Sequence, residues 1–125
     1  MKIRLLDDSI RLRLSRNEVS AASEQGLVEC RTRFPDGSVF SYALEADANG
    51  SGTDARFASG RLVVRLPARD VAAWAGDETA VSLRGELTLP EGGSLQLLVE
   101  KDFRCLSPRE GEDQSDLFQN PDSGT

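Results

Sequence analysis

Pro35–Asp47, PDGSVFSYALEAD, and Pro90–Asp102, PEGGSLQLLVEKD, read as two copies of one strand-turn-strand pattern. Without a gap, Pro35 matches Pro90, Gly37 matches Gly92, Leu44 matches Val99, Glu45 matches Glu100 and Asp47 matches Asp102. Upstream, RLRLSRNEV (Arg11–Val19) aligns with VVRLPARDV (Val63–Val71), so Arg13 falls on Arg65, Leu14 on Leu66, Glu18 on Asp70 and Val19 on Val71. A duplication of this kind decides architecture before local propensity is weighed, because neither unit can bury its apolar side alone.

Working outward from that pair, residues 1–6 and 9–14 alternate apolar and basic side chains with period two, the pattern of half-buried strands, around an Asp7-Asp8 turn. Ser15 and Glu18 have capping-box spacing, which predicts a short helix over residues 16–24 stopped by Gly26. Residues 27–34 and 39–46 alternate again around Pro35-Asp36-Gly37. The second copy repeats the order. Strands fall at 55–58 and 61–66, a helix opens at Pro67 and ends at Gly76, and strands at 80–89 and 94–103 close on Pro90-Glu91-Gly92-Gly93. The expected fold class is α+β. Two strand-strand-helix-strand-strand repeats form one curved antiparallel eight-stranded sheet or barrel with pseudo-two-fold symmetry and two short helices. Closure would remove exposed strand edges.

A chain of 125 residues suffices for one core. The expected organisation is a single duplicated domain over residues 1–105, with halves at about 1–47 and 53–102, and an acidic tail over 106–125. The tail carries Glu110, Glu112, Asp113, Asp116 and Asp122 and reads as disordered by composition. Within it, Leu117-Phe118 is the pair suited to dock on a surface groove. No stretch approaches the roughly 20 apolar residues that span a bilayer, and the opening has no apolar signal region, so a cytoplasmic protein without membrane contact is expected. Cys30 and Cys105 do not occupy matched positions, so no symmetric disulfide is implied, and Cys105 reads as a buried structural thiol. With no histidine, the usual zinc, haem and Ser-His-Asp constellations are excluded. A net charge of −6 argues against nucleic acid as a partner.

Against that acidic total, the strand-like runs carry arginines. The duplication pairs Arg4 with Arg56 and Arg13 with Arg65, and these four are the candidate anion-binding residues. The competing reading pairs strand arginines with Glu29, Glu45, Glu86 and Glu100 across a solvated face. The repeated Glu45/Asp47 and Glu100/Asp102 are weak candidates for a hard cation, and no cofactor is expected. The acidic tail has a further possible role, folding back over the arginine face.

Lys101-Asp102-Phe103, Cys105-Leu106, Glu112-Asp113 and Asn120-Pro121 resemble the closing signature of a family of small uncharacterised bacterial proteins, a domain of unknown function. That resemblance covers nearly the whole chain and implies that the tail belongs to the protein, with no activity to carry over. In shape, duplicated β-α-β units closing into a tunnel also resemble the triphosphate-tunnel enzymes. Those carry a Glu-x-Glu-x-Lys strand, where this chain has Lys2-Ile3-Arg4 and Arg11-Leu12-Arg13. The resulting expectation is a non-enzymatic binding or interaction domain. Its arginine-bearing strand face would take an anionic small molecule, a protein partner or the chain's own tail. The alternative is a tunnel-type protein that binds or hydrolyses a triphosphate or nucleotide.

Overall fold

The computed structural model describes residues 1–50, 52–103 and 118. Elements follow in the order β1 (Lys2–Leu5), β2 (Ser9–Leu14), α1 (Arg16–Gln25), β3 (Leu27–Arg33), β4 (Val39–Asp47), β5 (Asp54–Ala58), β6 (Arg61–Pro67), α2 (Ala68–Gly76), β7 (Ser82–Thr88) and β8 (Ser94–Lys101). The strand-strand-helix-strand-strand order thus occurs twice. Helix α1 begins with the capping box that its sequence encodes. The Glu18 backbone N–H donates to the Ser15 hydroxyl, the Glu18 carboxylate accepts from the Ser15 N–H, and Gly26 leaves the helix in the left-handed region. Helix α2 follows Pro67, which ends β6, occupies the cap position and has no N–H to leave unpaired. The Ser59-Gly60 turn needs its glycine twice over. Gly60 has φ +74, and a Cβ there would lie 2.8 Å from the Val39 carbonyl oxygen.

The expected single antiparallel sheet or barrel does not form. The strands divide into two four-stranded sheets, β1-β2-β8-β7 and β3-β4-β6-β5, called the first and second sheets below. Each sheet joins two antiparallel hairpins through a parallel pair at its centre, β2 with β8 and β4 with β6. The first sheet joins the first and last hairpins of the chain, and the second joins the two consecutive hairpins between them. The physical reason is visible in the central strands. Leu62 and Val64 in β6, like Leu97 and Val99 in β8, are buried while Val63 and Leu98 between them are only half-buried, so each central strand gives one face to the core. Four such strands already cover one apolar face, so the sheets stack and keep their edges.

The inward faces of both sheets and one face of each helix meet in a single cluster. Ile10, Leu12, Leu14, Leu97 and Val99 come from the first sheet, and Val28, Leu44, Leu62, Val64 and Leu66 from the second. Val19, Ala22, Val71 and Trp74 come from the helices. Burial at these positions, about 1.5–3 kcal/mol per large side chain, is what holds two small sheets together. Among the described residues no helix is long and apolar enough to cross a membrane.

Candidate functional site

Strand alternation turns the arginines outward. Along β2, Ile10, Leu12 and Leu14 are buried in the cluster, so Arg11 and Arg13 occupy the opposite face. Along β8, buried Leu97 and Val99 leave Leu98 and Glu100 on that same face. Register completes the arrangement. Arg4 pairs with Arg11, Arg11 with Leu98 and Leu98 with Arg84, so one row crosses all four strands as Arg-Arg-Leu-Arg. With strands about 4.8 Å apart, the backbones of Arg4 and Arg84 stand roughly 14 Å from each other. Between them lies a surface hollow of ≈ 360 Å³, lined by Arg4, Arg11, Arg84, Ser9, Gln96 and Leu98 among others.

The neighbouring row reads Lys2, Arg13, Glu100, Ser82 and is neutralised from within. Glu100 accepts hydrogen bonds from Arg11 Nε at 2.6 Å and Arg13 Nε at 2.8 Å. Burial pushes the Glu100 carboxyl up, but the hydrogen bonds and charges of Arg13 and Arg11 outweigh it and hold the group below its ordinary value. Lys2 pairs with Asp102 at 2.9 Å. Arg4 and Arg84 are exposed and make no ion pair among the described residues.

The four arginines selected by sequence are not brought together. Arg4 and Arg13 lie on the outward face of the first sheet, and Arg56 and Arg65 on the outward face of the second. The second sheet has its own hollow of ≈ 540 Å³, lined by Arg56, Arg61, Arg65 and Glu45 among others, but more acid reaches it. Arg61 donates to Glu29 at 2.6 Å, and Arg65 lies 3.9 Å from Glu45, its buried Nε making no hydrogen bond. Cross-strand pairing therefore accounts for Glu29, Glu45 and Glu100. The space between the sheets holds the apolar cluster.

The weak cation candidates have other occupations. Glu100 and Asp102 serve the cations just named, and Asp47 accepts from the Asn49 N–H at 2.9 Å in a local turn. Among the described residues no group of acids and thiols could hold a metal ion. Cys30 is free, and its Sγ lies beside Glu18 and the Met1 amine. Cys105 and the tail acids fall outside the described residues. Sequence reasoning missed Arg11 and Arg84 as site members. Their signal was present, because both sit on the outward alternation, but only the β2–β8 pairing aligns them.

A family model described as a family of unknown function, DUF7009, matches residues 1–122. No curated protein and no solved structure matches the chain.

Proposed function

The chain belongs to the DUF7009 family, and we propose that it is a binding module whose first sheet presents the Arg4–Arg11–Leu98–Arg84 row to a multiply charged anion. The observation that carries this reading is the row itself, with two guanidinium groups free of carboxylate partners among the described residues and no acid between them. Guanidinium offers a planar fork of donors matched to phosphate and carboxylate oxygens. Arg11 is oriented by Glu100, and Leu98 gives the ligand an apolar floor. Glu100 is committed to two arginines and leaves the row without a free carboxylate for acid–base work, which favours binding over turnover.

The alternative, a tunnel-type protein that hydrolyses a triphosphate or nucleotide, requires arginines inside an enclosed cavity within reach of two carboxylates. An outward row supports it less well. We further infer that the two strand-strand-helix-strand-strand units are copies of one ancestor. Asp7 and Ser59 hold matched left-handed turn positions, and Arg13 with Glu100 stands in the same register relation as Arg65 with Glu45.

Thermal-shift measurements with tripolyphosphate and ATP, with and without Mg²⁺, test the binding reading. A ligand at 100 times its dissociation constant adds about 2.7 kcal/mol to stability. We expect a metal-independent shift that fades with added salt and leaves the phosphate intact. No shift with either phosphate would end the proposal, and release of orthophosphate would favour the hydrolytic alternative.

A further inference from the structure

Lysine at position 101 breaks the inward alternation of β8. Leu95, Leu97 and Val99 face the cluster, and Lys101 follows them inward, paired with Leu14 and only 4% exposed. A buried ammonium demands partners. Its Nζ donates to the Asp77 carbonyl at 2.8 Å and stands 5.7 Å from the Trp74 ring and 5.4 Å from the Phe118 ring. No carboxylate lies within ion-pair distance among the described residues. Burial pushes this amine down, while Asp77 and Glu78 push it back.

Phe118 completes that environment from far along the chain. Its N–H donates to the Asp102 carbonyl at 2.9 Å, in a parallel bridge that sets Phe118 beside Phe103. Its ring meets Phe103 edge-on at 5.8 Å, and the Arg16 guanidinium lies over it at 5.0 Å. The phenylalanine ring therefore meets two cations, each drawn to the negative face of the ring. In sequence, Glu110, Glu112, Asp113 and Asp116 precede it. At the matched positions of the earlier unit stand Ala22 and Ala46 where Trp74 and Lys101 stand here, so only the later unit has this groove.

We propose that the groove formed by Arg16, Trp74, Lys101 and Phe103 is a docking site for a phenylalanine carried by an acidic peptide, occupied in cis by Phe118 and able to take the same motif in trans. The aromatic faces and the Asp102 carbonyl specify a ring attached to an extended backbone, and the two cations specify acidic flanks. Among the described residues the cis anchor consists of one half-buried ring and one backbone hydrogen bond, which is small enough to exchange. This site is separate from the arginine row and stands or falls independently of it.

The test uses the full chain carrying Phe118→Ala and a synthetic peptide with the sequence of residues 110–122. Trp74, the single tryptophan, reports on the groove. In the Phe118→Ala chain its fluorescence becomes more accessible to acrylamide, and added peptide restores protection. The peptide binds this variant at least tenfold more tightly than it binds the wild-type chain, whose groove is filled. A peptide with alanine in place of its phenylalanine binds at least tenfold more weakly. Failure of the peptide to bind, equal binding of the alanine peptide, or equal affinity for the wild-type chain would overturn the proposal. Should Phe118→Ala lose its circular-dichroism signature, Arg16→Glu at an exposed position serves instead. It is expected to increase acrylamide quenching of Trp74, and unchanged quenching would be the contrary result.

Discussion

The two sheets share one connectivity and differ in what they show to solvent. In each, two hairpins meet through a parallel pair. On matched rows the first sheet carries Arg4, Arg11, Leu98 and Arg84, and the second carries Arg56, Val63, Ala43 and Glu29. Inward positions are alike because both sheets feed one cluster. Outward positions obey a weaker packing demand, with Ala43 at 1% exposure the exception on these rows, so they diverge. Like charges directly opposite each other destabilise a strand pair, and the first sheet places Arg4 opposite Arg11 all the same. The second sheet avoids such a pair on its matched row. An unfavourable juxtaposition present on one sheet and absent from the other is the physical ground for proposing that the first sheet binds.

The comparison breaks first if the sheets do not share a core. Leu14 and Leu66 are matched and buried, at 0% and 3% exposure. Leu14→Ala and Leu66→Ala should each cost about 2–5 kcal/mol, within a single urea transition seen by far-ultraviolet circular dichroism and by Trp74 fluorescence. Two separated transitions would mean independent sheets. Binding comes next in size. Arg4→Ala and Arg84→Ala should each weaken tripolyphosphate binding by about tenfold or more, since a hydrogen bond to a charged group contributes roughly 1.5–3 kcal/mol. Arg56→Ala should leave that affinity unchanged in the same titration.

Glu100 sharpens the contrast in a different way. Its folded pKa is depressed, so its contribution is present above the unfolded carboxylate value and is lost as pH falls through the folded one. Glu100→Gln should therefore reduce stability at pH 7, by about 0.5–1 kcal/mol after screening by solvent. It should also flatten the decline in melting temperature below about pH 4.5. Glu45→Gln, whose arginine stands 3.9 Å away, should cost less at pH 7. Smallest of all, Arg4→Thr should stabilise the chain by about 0.2–0.5 kcal/mol by removing a like-charge pair while weakening anion binding. Loss of stability in that variant would undercut the cost argued for the row.

The secondary elements were legible because their signals are local. Period-two alternation, the Ser15–Glu18 capping box and the Pro-x-Gly turns each lie within a few residues, and the strands and helices fall where they place them. Strand pairing was not legible in the same way. Antiparallel hairpins can be read from their turns, but β2 meets β8 across most of the chain, and only the apolar runs at 62–64 and 97–99 hint at a central parallel position. The candidate site inherited that gap. Aligning the two halves of the sequence selected Arg13 and Arg65, which cross-strand glutamates engage or approach, whereas Arg84 joins Arg4 and Arg11 only once β8 and β7 are laid beside β2. Leu117-Phe118 stood out in sequence as a pair suited to docking, but the Lys101 surface that Phe118 meets was hidden for a related reason. A lysine at a strand end reads as solvated until a distant aromatic is found covering it.

The most direct test of the arginine row is calorimetric titration of tripolyphosphate into Arg84→Glu, which gives the first sheet the acid that the second carries at Glu29. The account predicts at least a thirtyfold loss of affinity relative to the wild-type chain, with the melting temperature little changed, and no loss in the matched variant Glu29→Arg. Equal affinity in Arg84→Glu and the wild-type chain, or a larger loss in Glu29→Arg, would contradict it.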